Sequence, residues 1–288
     1  MRIWHKLFLI KDSKININLK KDQSYFDHER SMGDYNENEY YKSQEIFLKK
    51  YSNSRYQLYT TFIKEHLPKT DKILSIGSGR CVPELLLLND GYNIVCSDIE
   101  IPNCYEASKK IYSNFEYKKL DILSESLDQK FNSMLCFSMI YLFEKKELEI
   151  FFKKIHNSLE SNGFLILDPG GGEDIMFSYF YDNIYLTIES WLILLISKLF
   201  RRKYFLFKKH QGYRFSNREL IKFAKENGFE FIEIKEGEYN IEFTRSKIFS
   251  FLMKKFPITK TIFNVCGKFF PYVRIFKFRK INEKISAI

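Results

Sequence analysis

The sequence predicts an α/β fold, in which an open sheet of mostly parallel strands ends in an antiparallel hairpin. Two observations lead to this prediction. Between residues 72 and 167, short apolar runs alternate with segments whose apolar residues recur at helical spacing, the order expected when helices connect parallel strands. Between residues 229 and 244, two runs alternate apolar and polar residues on either side of Glu236-Gly237, as the strands of a hairpin do.

Each element is predicted from its own pattern. Strands are expected over 72–76, 93–97, 115–120, 131–137, 164–167, 229–234 and 239–244. Helices are expected over 45–67, 82–89, 104–113, 145–159 and 217–227. Pro83 suits the first turn of its helix because its missing N–H would have no partner there. Ser216 suits the cap of the last helix because its hydroxyl can accept a bond from a first-turn N–H.

The chain divides into three predicted parts. Residues 1–42 are polar and tyrosine-rich with no clear period, and we expect a loosely organised lead-in. Residues 43–245 hold the α/β domain, which carries an aromatic insertion at about 170–212. Residues 246–288 form a basic, aromatic C-terminal extension.

The positive charge is concentrated at the end of the chain. The 288 residues carry a net charge of +10. From Arg245 to the end there are 11 Lys and Arg against one acid, Glu283, so the remainder is neutral. This distribution argues against a broadly basic nucleic-acid-binding core and indicates a localised anionic contact.

Composition also bears on compartment and metals. No apolar run reaches the roughly 18 uncharged residues that a membrane span needs. The five cysteines show no CxxC spacing, which is typical of reduced thiols in a cytoplasmic protein without a zinc site. We therefore expect a cytoplasmic protein with no metal, and leave open peripheral attachment to the inner face of the membrane.

A nucleotide-type site is predicted after the first two strands. Gly77-Ser78-Gly79 follows the strand at 72–76 and allows a tight turn before a helix. Asp98 ends the next strand, 21 residues after Gly77, where a carboxylate can accept hydrogen bonds from a ribose diol. Val82 stands where a dinucleotide fingerprint has its third glycine, which disfavours a nicotinamide cofactor.

With these motifs, residues 70–245 resemble the class I S-adenosylmethionine-dependent methyltransferases, which have a Rossmann-like fold. The resemblance implies that Gly77, Ser78 and Gly79 wrap the methionine part of the cofactor. It implies that Asp98, with Ile99 beside it, binds the ribose hydroxyls.

The resemblance extends to later strand ends and has departures. It implies that Asp121 and Ile122 flank the adenine and that Ser138 lines the cofactor from below. Asp121 is almost equally well explained as a helix cap. Ser75 stands where the family usually has an acid that helps to hold the amino end of the cofactor, and Cys81 replaces a glycine. Ser75 can still form hydrogen bonds, so an intact site is favoured over a decayed one.

Three side chains are candidates for catalysis. His210 lies in a predicted loop that could face the pocket and serve as a base for an oxygen nucleophile, although a surface histidine is an equal alternative. Glu173 follows Gly170-Gly171-Gly172 near the expected substrate entrance, where it could instead cap a helix. Tyr141 lies at the expected rim of the site, or is one of many packed aromatics.

The resemblance implies methyl transfer from S-adenosylmethionine to an O or N of a small acceptor. Aromatic and basic residues interleave over 190–207 and 246–288, which favours an apolar or lipid-linked acceptor and contact with an anionic membrane. A cover helix with a solvated basic face is an equal alternative. Two further hypotheses are an RNA methyltransferase that uses the basic tail and a non-catalytic, membrane-associated scaffold with a decayed cofactor site.

Overall fold

The computed structural model describes residues 1–11, 55–79, 81–101, 105–200 and 204–281. The strands are β1 (Arg2–Lys11), β2 (Lys72–Ile76), β3 (Asn93–Asp98), β4 (Glu116–Lys119), β5 (Phe131–Phe137), β6 (Leu159–Asp168), β7 (Tyr204–Arg214), β8 (Phe229–Gly237) and β9 (Val273–Lys280). The helices are α1 (Arg55–His66), α2 (Val82–Asn89), α3 (Tyr105–Ile111), α4 (Lys145–Ser158), α5 (Met176–Phe180), α6 (Leu186–Leu199), α7 (Asn217–Glu226), α8 (Ile241–Thr244), α9 (Lys247–Lys255) and α10 (Pro257–Gly267). A 3-10 turn covers Ile140–Leu142 and a π-helical turn covers Tyr181–Tyr185.

Seven strands form the main sheet, in the order β4-β3-β2-β5-β6-β9-β8. The strands β2 to β6 pair in parallel, and β9 runs antiparallel to both of its neighbours. The predicted fold class is confirmed. Because the carboxyl ends of β2, β3, β5 and β6 meet at one edge, the loops that follow them define the expected ligand site.

The sheet is covered by helices on both faces. Alternate residues of the central strands point to opposite faces: Met134 of β5 belongs to one buried cluster and Leu135 to the other. Helices α4 and α7 pack on the first face, with Phe152 and Leu220 buried there. Helices α1 and α2 pack on the second.

Most local predictions for the parallel half are confirmed. Strands β2 and β5 and helix α2 have the predicted bounds, and Ser216 accepts a hydrogen bond from the Glu219 N–H in a capping box at the start of α7. Strand β6 begins at Leu159 rather than at residue 164 because a register shift lets 159–163 join it. The predicted helix over 45–67 is seen as α1, and 45–54 lies outside the described residues.

The lead-in contains a strand that was not predicted. β1 pairs antiparallel with β7 in a separate two-stranded ribbon, with Arg2 opposite Arg214 and Lys11 opposite Tyr204. The expectation of loose structure is therefore wrong for Arg2–Lys11, while 12–42 lies outside the described residues. The partner of β1 lies in the predicted insertion, so nothing local in the sequence marks this strand.

The predicted second hairpin strand is wrong. Residues 241–244 form helix α8, and the strand that pairs with β8 is β9, from within the predicted C-terminal extension. Glu242 is buried against Arg214 and Arg245 in this helical turn, which overrides the alternating pattern. The domain limits stay a prediction, but the segment after residue 245 supplies a strand inside the sheet.

An aromatic layer joins the remaining helices into what we call the helical cap, made of α5, the π-helical turn, α6 and α8 to α10. Phe177 stacks on Phe270 with ring centroids 4.3 Å apart, and Tyr185 stacks on Phe249 at 4.9 Å. Glu189 of α6 accepts the Ile248 N–H of α9 at 2.8 Å. No helix of the described ranges is both long enough and apolar enough to span a membrane.

A buried ion cluster ties the ribbon to the helical cap. Arg214 of β7 is fully buried and contacts Glu242 Oε1 at 2.9 Å and Asp182 Oδ2 at 3.0 Å. Its guanidinium lies 4.5 Å from the centre of the Trp4 ring of β1. What we call the cap ion cluster consists of three arginines and three acids, Arg2, Arg214, Arg245, Asp174, Asp182 and Glu242.

Candidate cofactor and acceptor site

The glycine turn after β2 has the backbone that its sequence predicts. Gly77 and Gly79 have φ of 67° and 50°, in the left-handed region that favours glycine. A Cβ on Gly77 would lie 2.3 Å from the Met139 sulfur. The loop after β5 therefore packs directly on the turn after β2.

Asp98 holds the turn from the neighbouring strand. Its Oδ2 accepts the Gly79 N–H at 3.0 Å, and its Oδ1 accepts the Ile99 N–H at 2.7 Å. Burial raises the pKa of Asp98, and these two N–H groups oppose the rise. Each carboxylate oxygen can accept more than one hydrogen bond, so Asp98 has capacity left for a diol.

Ser75 and Glu84 form a buried pair beneath the turn. The Ser75 hydroxyl donates to Glu84 Oε1 at 2.5 Å, and both residues are buried. Glu84 Oε2 is buried with no hydrogen-bond partner among the described residues. Burial raises the pKa of Glu84 to about 7. Sequence reasoning missed Glu84, although a lone acid in the apolar run 82–88 was a signal.

Two serine hydroxyls, one from Ser78 in the turn and one from Ser97 on β3, bond to the end of β2. The Ser75 carbonyl accepts the Ser78 hydroxyl at 3.0 Å and the Ser97 hydroxyl at 2.9 Å. These contacts fix the strand end from which the turn departs. Ser78 thus acts on the backbone of the turn, and its predicted contact with a cofactor stays a prediction.

Asp121, after β4, is engaged locally. Its Oδ2 accepts the Ser124 hydroxyl at 2.7 Å and its Oδ1 accepts the Leu123 N–H at 3.0 Å. The bond from Ser124 lowers the pKa of Asp121. These are the contacts of a turn-capping acid, the alternative raised from the sequence. Ile122 is buried in the core beside it, and the adenine-binding roles of both residues stay predictions.

A buried polar cluster lies where β5 and β6 end. Asp168 accepts hydrogen bonds from Ser138 Oγ at 3.1 Å and from the Tyr59 hydroxyl. Ser138 has a φ of 54°, so the backbone turns sharply there. Tyr59 reaches the cluster from α1 and stacks on Phe137 with centroids 4.2 Å apart. Tyr59 was not predicted as a site residue, and its contact with Asp168 joins positions far apart in the chain.

Arg274 of β9 contacts the loop that follows β6 through the Gly171 and Gly172 carbonyls. Its guanidinium is fully buried and donates to the Phe215 carbonyl at 2.9 Å and to Asn217 Oδ1 at 2.7 Å. Burial lowers the pKa of Arg274 to about 10. An arginine held mainly by neutral acceptors braces the loop after β6. It was missed because its segment was assigned to the basic C-terminal extension and no strand was predicted there.

Tyr141 is buried under the ribbon. A Cβ on Gly212 of β7 would lie 2.2 Å from the Tyr141 carbonyl oxygen, and one on Gly170 would lie 2.5 Å from its ring. The Trp4 ring meets the Tyr141 ring edge-on at 6.4 Å. The ribbon therefore covers the loops after β5 and β6, where an acceptor is expected, and Tyr141 lies between ribbon and sheet.

The other two catalytic candidates have contacts of their own. Glu173 accepts the Asn217 N–H at 3.0 Å and so caps α7. His210 lies in strand β7 and not in a loop, which corrects that expectation; it is exposed, and its ring meets His5 edge-on at 5.8 Å. Cross-strand register pairs His210 with His5. The predicted catalytic roles stay predictions.

Comparisons with known proteins bear on the fold. A methyltransferase from Clostridium acetobutylicum superposes with a TM-score of 0.51 at 15% identity, covering 86% of this chain and 99% of that one. The fold is that of the S-adenosylmethionine-dependent methyltransferases. A methyltransferase from Methanosarcina mazei superposes with a TM-score of 0.51 at 16% identity, covering 77% of this chain and 98% of that one.

A third neighbour has bound ligands. The 1,6-didemethyltoxoflavin-N1-methyltransferase of Burkholderia thailandensis, with 1,6-didemethyltoxoflavin and S-adenosylhomocysteine bound, gives a TM-score of 0.50 at 10% identity over 90% of this chain and 92% of that one. No family model and no curated protein sequence matches this chain. Among the described residues, no group of three His, Cys, Asp or Glu side chains could hold a metal ion.

Proposed function

We propose that this protein is an S-adenosylmethionine-dependent methyltransferase that acts on an O or N of a small, apolar or lipid-linked acceptor. The observation that carries the proposal is the glycine turn locked to Asp98 at the carboxyl edge of a methyltransferase sheet. The residues fit the cofactor: Asp98 can accept hydrogen bonds from a ribose diol, and one oxygen of the buried Glu84 carboxylate has no hydrogen-bond partner among the described residues.

The cofactor supplies an activated methyl group on a sulfonium, and the protein supplies position and exclusion of water. Asp98 and the turn at Gly77–Gly79 would hold the cofactor against Met139. The ribbon covers the loops after β5 and β6 and keeps water from an acceptor placed beside Tyr141. Glu173, which already accepts an N–H, and the exposed His210 are the proposed alternatives for a base if the acceptor atom carries a proton.

A small acceptor is proposed partly because the Burkholderia neighbour binds one. That the acceptor is apolar or lipid-linked rests on the outer surface of the helical cap. On α6, Ile188, Trp191, Leu195 and Leu199 are each more than half exposed and recur at helical spacing. On α10, Ile258, Ile262 and Val265 form a similar stripe. Soluble proteins rarely leave such stripes uncovered.

The charge around these stripes favours an anionic membrane. The exposed charged residues that the structure describes on α6, α9, α10 and the turn after α10 include Lys198, Lys254, Lys255, Lys260 and Lys268. The three acids of the helical cap, Asp182, Glu189 and Glu242, are all buried. Basic residues near anionic headgroups contribute about 1 kcal/mol each. Apolar stripes flanked by lysines suit a surface that takes both groups.

Vesicle sedimentation tests the membrane part of the proposal. We expect the full-length protein to sediment with vesicles containing phosphatidylglycerol at low salt, and much less with pure phosphatidylcholine. Leu195→Glu should reduce sedimentation several-fold because a charge replaces an inserted side chain. Ile150→Glu on α4, whose side chain is 41% exposed outside the cap, is the matched control.

Sedimentation lost equally in both variants, or absent for the wild type, would contradict membrane contact. Binding to single-stranded RNA with a steep salt dependence would instead favour the RNA hypothesis. Removal of 245–288 is not a usable test, because it would remove β9 from the sheet.

Methyl transfer itself is tested with labelled S-adenosylmethionine and membrane extracts of the source cells. The proposal predicts label in the organic-soluble fraction with the wild type and none above background with Asp98→Asn. Label in RNA and none in lipid or small molecules would contradict the proposed acceptor class.

A further inference from the structure

Glu84 is a buried acid with one carboxylate oxygen that no described residue hydrogen-bonds. It lies in the first turn of α2 and is 2% exposed. One carboxylate oxygen accepts the Ser75 hydroxyl, and the other has no hydrogen-bond partner in the described part of the chain. A buried carboxylate oxygen that accepts no hydrogen bond is costly.

The charged surroundings of Glu84 do not compensate for it. Asp98, on β3, is close enough to disfavour a second negative charge and adds to the effect of burial on the pKa of Glu84. Tyr117, on β4, also lies within electrostatic range. None of the ion pairs between described residues includes Glu84. The site therefore lacks the positive charge that would keep Glu84 ionised at neutral pH.

The pair Ser75–Glu84 lies directly under the glycine turn. Ser75 is the penultimate residue of β2, and its carbonyl anchors the Ser78 hydroxyl of the turn. Asp98 anchors the far side of the same turn through Gly79. A ligand whose diol reaches Asp98 and which runs along this turn brings its other end toward Glu84.

We propose that Glu84 is a cofactor-binding residue. Its free carboxylate oxygen would accept a hydrogen bond from the α-ammonium group of the methionine part of S-adenosylmethionine. This inference rests on the proposed function. Ser75 positions the carboxylate by holding its other oxygen. The short serine side chain leaves space for an acid presented from α2, so the negative charge comes from the helix and not from the end of the strand.

The test compares two ligands that differ in the group concerned. S-adenosylhomocysteine carries the amino-acid part, and 5′-methylthioadenosine has the same nucleoside without it. By calorimetric titration, Glu84→Gln should reduce the affinity for S-adenosylhomocysteine by about 10- to 100-fold, the range expected for a hydrogen bond to a charged group. Binding of 5′-methylthioadenosine should change less than about twofold. Asp90→Asn, at a partly exposed acid just after α2 that pairs with Lys64, is the control and should change the binding of neither ligand.

The outcomes separate this inference from the proposed function. If Glu84→Gln binds S-adenosylhomocysteine as tightly as the wild type does, the inference about Glu84 is overturned. An equal loss of affinity for both ligands also overturns it, because that result would indicate a structural role. A wild type that binds neither ligand overturns the proposed function, and this inference with it. Folding is checked by thermal unfolding without ligand at pH 8, where Glu84→Gln should unfold no earlier than the wild type because it removes an unpaired buried charge.

Discussion

Arg214→Met is expected to lower the free energy of unfolding by about 3–5 kcal/mol, the cost typical of removing one partner from a buried ion pair. Arg214 is fully buried between Asp182 and Glu242 and lies over Trp4. Methionine fills similar space but supplies no charge, so two buried carboxylates are left with fewer partners. Urea unfolding followed by tryptophan fluorescence measures the loss.

The matched control is Arg279→Met. Arg279 pairs with Glu230, but both side chains are nearly half exposed, at 46% and 49%, and exposed pairs contribute only about 0–1 kcal/mol. Equal destabilisation by the two variants would contradict the role given to the cap ion cluster. The large loss matters for function because the cluster holds the ribbon over the loops after β5 and β6.

The same cluster predicts a dependence on acid. Arg214 and Arg245 hold the pKa of Glu242 well below its ordinary range, against the opposing effect of burial. A carboxyl with a lowered folded-state pKa contributes stability above its unfolded pKa, near 4.5, and that contribution is lost as the pH falls through the folded pKa. Arg214→Met should therefore lose less stability on acidification than the wild type does.

Asp98→Ala is expected to reduce affinity for S-adenosylhomocysteine by about 100-fold or more, since the proposed site would lose two hydrogen bonds from the ribose to a charged group together. The change also frees the N–H groups of Gly79 and Ile99 and loosens the turn. Equilibrium dialysis with labelled ligand measures the loss. Asp98→Asn, which keeps the shape of the side chain, separates charge from packing.

Asp121→Ala is the control for Asp98→Ala. The Asp121 carboxylate is engaged by Ser124 and Leu123 of its own turn, so we expect its removal to weaken binding less than about tenfold. Wild-type affinity in Asp98→Ala would contradict the site described above. A larger loss in Asp121→Ala than in Asp98→Ala would move the main anchor to the end of β4.

Local patterns were sufficient for the parallel half of the fold. The continuous apolar run of β5 and the glycine turn after β2 carry their own signals, because buried parallel strands and left-handed turns restrict residue type directly. The same holds for the position of Asp98, which follows from the βαβ unit. The cofactor-side loops were therefore predictable from short segments.

What failed depends on contacts between distant segments. β9 contains Arg274 and Lys277, which the sequence analysis placed in a basic extension outside the sheet, yet Arg274 is fully buried among carbonyl groups of other loops. β1 has its partner in β7, across the whole domain. Glu84 becomes notable only when Ser75 is seen to contact it. Whether a buried charge has a partner is decided by tertiary contacts, which a local sequence pattern does not contain.

The measurement that decides most is a calorimetric titration of the folded wild-type protein with S-adenosylhomocysteine. The proposed methyltransferase function predicts saturable binding at one site with a micromolar dissociation constant. Absence of binding by protein that unfolds cooperatively would contradict it, and the hypothesis of a scaffold with a decayed site would then be favoured.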